Sequence, residues 1–221
     1  EQNDRTVVSV FVNPMQFGVG EDLESYPRDM ERDSALCENA GAALIFHPQP
    51  EEMYHKDFSS FVDMNTLTKG LCGKTRPIHF RGVCTVVSKL FNIVQPDKAY
   101  FGQKDAQQLA VIRHMVSDLN FGIEIVGCPI VREADGLAKS SRNTYLNEQE
   151  RKAAVVLNQS LQAAQDLYEN GERSAAVLSA AIREKLAAEP LAKPDYVEIV
   201  DWNTLEPVET IQDSVLMAIA V

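Results

Sequence analysis

Two short stretches of this chain carry side chains suited to phosphate chemistry. In Phe101-Gly102-Gln103-Lys104-Asp105, a lysine stands where the strand-like run from Lys98 to Phe101 gives way to a helical apolar pattern beginning at Ala106. At such a helix start, unpaired backbone N–H groups and the helix dipole favour an anion, and a lysine adds a mobile point charge. In Lys139-Ser140-Ser141-Arg142-Asn143, two hydroxyls and a guanidinium follow one another. Short donors beside a planar fork match phosphate oxygens. Taken together the two stretches point to a phosphate-rich ligand. Taken singly, Lys-Asp could be a helix cap and Ser-Ser-Arg-Asn a polar loop.

The elements that must position these groups alternate in type. Strand-like runs at 7–12, 43–47, 98–101 and 122–127 are separated by helical patterns around 24–40, 82–94 and 105–119. That alternation predicts βαβ units and a doubly wound, Rossmann-like α/β domain with a parallel sheet. Ligands of such sheets lie at the carboxyl ends of the strands. Asn13-Pro14-Met15-Gln16 and Gly102-Gln103-Lys104-Asp105 both follow strands, so they are expected in one crevice. Beyond Pro129 the text changes to helical patterns over 148–168 and 174–188 and strand-like runs over 196–200 and 215–221, a smaller α+β domain. The expected division is therefore 1–130 and 131–221, with the Ser-Ser-Arg loop in the second part. Asn147 is placed to cap the helix that starts at Glu148.

Composition narrows the partners. The net charge is −11, and residues 1–130 hold 12 basic and 17 acidic side chains against 9 and 15 in the remainder. Acidity spread this evenly leaves no basic face for nucleic acid. An anionic ligand must be held locally, and Lys104, Arg132, Lys139 and Arg142 supply the charge. No apolar run approaches membrane-spanning length. Cys37, Cys72, Cys84 and Cys128 form no Cys-x-x-Cys pair, which implies reduced thiols and a cytoplasmic setting. No His, Cys, Asp and Glu constellation has metal-ligand spacing.

Several shorter patterns carry less. Gly70-Leu-Cys-Gly73-Lys74-Thr75 ends like a P-loop, but Thr68 stands where its first glycine is needed. Gly18-Val-Gly20 is too short for a dinucleotide fingerprint. Asn158-Gln-Ser160 fits a glycosylation sequon inside a helical pattern and reads as chance. His79, in His-Phe-Arg-Gly, is the histidine best suited to acid–base work, with a structural place at a helix start as the alternative.

Five segments share an order and spacing with one known family: Val7-Val-Ser-Val-Phe-Val-Asn13-Pro-Met-Gln16-Phe-Gly18, Arg76-Pro-Ile-His79-Phe-Arg-Gly82, Phe91-Asn-Ile-Val-Gln-Pro96-Asp, Phe101-Gly-Gln-Lys-Asp105 and Asp135-Gly-Leu-Ala-Lys-Ser-Ser-Arg-Asn143. Across the whole chain the sequence resembles pantothenate synthetases (pantoate–β-alanine ligases), which belong to the nucleotidylyltransferase superfamily. The resemblance implies an ATP- and Mg²⁺-dependent ligase that adenylates pantoate and passes the pantoyl group to β-alanine. Lys104, Ser140, Ser141 and Arg142 would then stabilise charge on the reacting phosphate. Gly102, Gln103, Asp105, Val131 and Lys139 would complete the nucleotide site, with Asp105 and the Gly102 backbone at the ribose and Val131 at the adenine. Gln16 and Gln108 would bind pantoate, with Asn13 and Met15 lining the same pocket. Without the resemblance the two glutamines read as ordinary surface residues. A homodimer through the larger domain is also implied.

The sequence departs from that family in places. The family opens with a strand and a His-x-Gly-His motif, whereas this sequence enters on the second strand, and His47, His55, His79 and His114 include no such pair. Val215–Val221 resembles a strand cut before its closing turn. The expectation is a sequence incomplete at both ends and impaired as a ligase when taken as written. Gln103 replaces the usual glutamate, and Lys139 stands where an apolar residue is usual. A nucleotidylyltransferase without acyl transfer, and an inactive nucleotide-binding fragment, are the alternative readings.

Overall fold

A computed structural model describes residues 3–221. Contacts group the chain into two compact units, each assembled from separated segments: residues 1–64 with 78–97, and residues 65–77 with 98–221.

In the first unit, β1 (Val7–Ser9) and β2 (Leu44–Phe46) pair in parallel, joined by α1 (Met30–Asn39). A single 3-10 turn, Pro14–Gln16, follows β1. The helical pattern expected from residue 24 begins only at Met30. Arg28 explains the delay, because its guanidinium donates to the carbonyls of Leu23, Glu24 and Tyr26 and holds that stretch as a loop. Asp29 then caps α1 through the Arg32 N–H, a favourable N-terminal arrangement. A one-turn helix, α2 (Pro50–Met53), precedes an aromatic run. The interior of this unit is built by α4 (His79–Val94), which buries Phe80, Val83, Cys84, Val86, Val87 and Phe91. It stops at Gln95, whose φ of 51° places it in the left-handed region, with Pro96 next.

In the second unit, α3 (Leu71–Thr75) is a short helix ahead of the parallel pair β3 (Lys98–Gly102) and β4 (Glu124–Cys128). These strands are connected by α5 (Ala106–Asp118), which buries Leu109, Val111, Ile112 and Met115 and so forms the expected βαβ unit. Downstream, α6 (Glu148–Ala153), α7 (Val156–Glu169) and α8 (Ala175–Ala187) lead into the antiparallel pair β5 (Tyr196–Asp201) and β6 (Val215–Ala220). Leu178, Ile182 and Leu186 of α8 and Val197 and Ile199 of β5 share one apolar core with Val156 and Ala164 of α7.

The pattern over 148–168 predicts one helix where the structure has two. At the break, Leu157 N–H bonds back to Ala154 with the tighter 3-10 spacing. The predicted cap is present: Asn147 accepts from the N–H groups of Gln149 and Glu150, and Glu150 accepts from the Asn147 N–H. Among the described residues no helix is long and apolar enough to cross a membrane.

Candidate active site

The first group of site residues sits on the turn after β1. Asn13 ends the extended segment, and its side-chain oxygen accepts from the Met15 N–H to start the 3-10 turn. It is 2% exposed, so each of its polar atoms needs a partner. Oδ1 also accepts from the Tyr54 hydroxyl at 2.7 Å, while Nδ2 donates to the Gly82 carbonyl at 3.1 Å and to Gln16 Oε1 at 3.2 Å. The full capacity of an asparagine amide is therefore used.

The N-terminal end of α4 clamps this turn from beneath. Gly82 packs directly on it, and any Cβ there would overlap the Met15 carbonyl and the Gln16 Cα. Glycine is required by close approach, not by conformation. His79 is buried, with Nδ1 3.0 Å from the Gln16 carbonyl oxygen. A carbonyl can only accept, so Nδ1 carries the proton and the ring acts as a tether. The task this geometry gives His79 is structural. Met15 and Gln16 are half-buried on the same turn.

The second group follows β3. Gln103–Asp105 forms a 3-10 turn that runs into α5, so Lys104 lies just ahead of that helix. Asp105 occupies the cap position without a side-chain capping bond, which removes capping as its purpose. It pairs instead with Lys104 Nζ at 3.2 Å, with the lysine side chain 41% exposed. Such an exposed pair adds little stability, and exchange of the carboxylate for a stronger anion costs correspondingly little. A glycine at position 102 suggests a tight turn, but its φ of −70° is ordinary extended backbone, and nothing lies within 4 Å of where a Cβ would be. The space beside it is open. Gln103 reaches toward β4, its Nε2 lying 3.5 Å from where a Cβ on Gly127 would stand.

On α5, consecutive glutamines have different surroundings. Gln107 is buried and tethers the preceding loop, donating to the carbonyls of Leu67 and Gly70 and accepting from the Gly73 N–H. Gln108 is half-buried and makes none of these bonds. Because the Gly73 N–H is already used and Thr75 bonds to Cys72 and Asp195, the Gly70–Thr75 stretch is not a phosphate cradle.

The third group lies on a hairpin-like loop. Lys139 N–H bonds to the Val131 carbonyl and Glu133 N–H to that of Leu137, turning at Gly136 with φ 92°. Arg132 closes the loop, its Nη1 donating to the Gly136 carbonyl at 3.0 Å. Arg151 anchors Asp135 at 2.7 Å, and its guanidinium holds that carboxyl below the ordinary range. After this anchor, the Ser140 hydroxyl accepts from the Arg142 N–H and opens the 3-10 turn Ser141–Tyr145. Ser141 and Arg142 are exposed, and Val131 is 64% exposed although apolar. Lys139 stands 3.9 Å from Glu133 with its side chain largely in solvent.

The whole chain, residues 1–221, matches the family described as pantoate-beta-alanine ligase. The chain belongs to this family. The pantothenate synthetase of Heliobacterium modesticaldum is 61% identical over all 221 residues, which span 79% of that protein. Among solved structures, pantothenate synthetase from Thermus thermophilus superposes with a TM-score of 0.94 at 50% identity, over 96% of this chain and 77% of that one. A pantoate-beta-alanine ligase from Francisella tularensis, complexed with beta-gamma ATP and beta-alanine, gives a TM-score of 0.75 at 30% identity, over 89% and 72%.

Pantoate-beta-alanine ligases form a C–N bond, and this chain is such a ligase, with the nucleotidylyltransferase-type α/β fold of its structural neighbours. Within the family frame, the structure assembles Asn13, Met15 and Gln16 on one turn and Gly102–Asp105 with Gln108 along one strand–helix junction. Lys139–Arg142 shares a single loop with Val131. Sequence reasoning missed Tyr54, whose hydroxyl completes the Asn13 network. No spacing in the sequence links two residues 41 positions apart.

Proposed function

We propose that the ATP-dependent ligation of pantoate to β-alanine, the reaction of this family, is divided in this chain between neutral side chains that select pantoate and cationic ones that handle phosphate. Gln16 and Gln108 hold the carboxylate and hydroxyls of pantoate through their amides, with Asn13 and Met15 lining the pocket. The pantoate carboxylate attacks the α-phosphorus of ATP, forming pantoyl adenylate and releasing pyrophosphate. The β-alanine amine then attacks the acyl carbonyl, and AMP leaves. Lys104, Ser140, Ser141 and Arg142 stabilise the negative charge that grows on the phosphate oxygens during adenylation. Gln103, Asp105, Lys139 and the backbone at Gly102 contact the nucleotide, and exposed Val131 provides an apolar surface for the adenine. Positioning does most of this chemistry, since no protein nucleophile is needed.

The observation that carries this reading is the Lys104 turn at the carboxyl end of the parallel β3–β4 pair, where the lysine's partner is a single exposed carboxylate. Mg²⁺ accompanies ATP in this proposal. It would be held mainly by phosphate oxygens and water, as is usual for this ion in ATP-dependent enzymes. We further propose a division of labour at residue 130, with nucleotide and pantoate binding before it and the Ser-Ser-Arg loop after it. A cytoplasmic setting accords with the free cysteines and the lack of a nucleic-acid partner with the net charge of −11, and a homodimer is proposed on the family resemblance alone.

A nucleotidylyltransferase without acyl transfer is not favoured, because family and relatives alike are pantoate ligases. Pantoate-dependent exchange of labelled pyrophosphate into ATP tests the proposal. Exchange that requires pantoate is expected, and exchange that proceeds equally without it would refute adenylation of this acid.

A further inference from the structure

We propose that Tyr54 is a positioning residue for the acid substrate, acting through Asn13 to fix the amide of Gln16 with its oxygen turned inward and its NH₂ group turned to the opposite side. This inference rests on the reading of Gln16 as a pantoate contact. The hydrogen bonds run in one direction: Tyr54 hydroxyl to Asn13 Oδ1 at 2.7 Å, then Asn13 Nδ2 to Gln16 Oε1 at 3.2 Å. Each group in such a chain polarises the next, and low local dielectric strengthens the series.

The Tyr54 hydroxyl is itself held in place. Its ring meets Phe58 edge-to-face at 5.1 Å and Phe11 at 6.4 Å, with Lys89 Nζ 5.9 Å from the ring centre. Burial pushes the phenol up to about 12, so the hydroxyl stays a donor throughout the working pH range. Asn13 Oδ1 has two acceptor positions, and Met15 N–H takes the other. With both filled, Asn13 has no capacity left for the NH₂ end of Gln16 and engages only its oxygen. Removing the Tyr54 hydroxyl reopens one acceptor position. The Gln16 amide can then turn and donate to Asn13, which withdraws from the substrate the donor that a carboxylate or hydroxyl oxygen requires.

The test is a cycle of Tyr54→Phe, Gln16→Ala and the double variant in the full-length enzyme, with pantoate and ATP each titrated calorimetrically and kcat recorded. Tyr54→Phe should weaken pantoate binding roughly three- to tenfold, the range of one hydrogen bond, while ATP affinity and kcat hold within about twofold. In the Gln16→Ala background the same change should have no further effect on pantoate. Equal weakening of pantoate and ATP by Tyr54→Phe would reduce the tyrosine to a structural role. Full additivity in the double variant would break the relay through Gln16. If Gln16→Ala alone leaves pantoate affinity intact, the glutamine's own assignment fails and the relay falls with it.

Discussion

In the Asn13–Gln16 turn the central polar side chain is buried and all of its hydrogen-bonding capacity is spent within the protein. At Lys104 and along Lys139–Arg142 the cationic groups stand at the surface, held by 3-10 turns and the exposed carboxylates of Asp105 and Glu133. The contrast follows from the ligands proposed for each. A small hydroxy acid offers a few neutral and singly charged groups, so selecting it requires donors fixed in one orientation before it arrives. A polyphosphate brings several charges of its own, and mobile cations can gather around it with little prior order. One region therefore invests in rigidity, and the other keeps its lysines at the surface in weak, exposed pairs that a ligand can displace.

Removing one charge from the cationic region should have the largest effect. Lys104→Ala is expected to slow pantoyl-adenylate formation by roughly two to three orders of magnitude, with pantoate affinity and thermal midpoint nearly unchanged. Single-turnover measurement of adenylate formation checks this, and an unchanged rate would make Lys104 a surface residue.

Breaking the rigid region should show first in stability. Gly82→Ala forces a methyl group into the backbone of the Met15–Gln16 turn, and overpacking against backbone is expected to cost about 3 kcal/mol. Denaturant midpoints measure it. A midpoint equal to the parent's would mean that the turn yields and is not preorganised.

Much of this contrast was legible in the sequence, though unevenly. The cationic region could be read directly because its chemistry lies in consecutive residues, Lys139 to Arg142, and in a lysine placed at a strand–helix change. The alternation of β1 to β4 with α1, α4 and α5 was likewise visible in the apolar periodicities, and Asn147 announced its own cap. The start of α1 was not, because Arg28 reaches back to three carbonyls and overrides the helical pattern. The rigid region was hidden for a related reason. Its parts are Asn13, Tyr54, His79 and Gly82, which meet only through tertiary folding. Gln107 and Gln108 illustrate the limit, since each precedes an apolar residue by four positions, yet Gln107 alone ties down the Leu67–Gly73 loop.

A smaller effect extends the comparison to reactivity within the unit that carries the rigid turn. Burial pushes the Cys84 thiol up to about 12, and the charge of Asp63 adds to the shift. The thiolate is the reactive species, so near pH 8 Cys84 should resist alkylation while half-buried Cys37, Cys72 and Cys128 are modified. Mass spectrometry of the labelled native protein reads this out. Labelling of Cys84 as fast as the others would show that the helix beneath the turn opens readily.

The central claim, that pantoate is recognised by neutral amides and phosphate by surface cations, is tested most directly by titrating both ligands into the Gln16→Ala and Gln108→Ala enzymes. Loss of either amide leaves polar groups of the bound acid unpaired, a penalty of about 1–3 kcal/mol. Pantoate affinity should therefore fall about tenfold or more, while ATP affinity shifts less than about threefold. Equal weakening of both ligands, or of neither, would contradict the division.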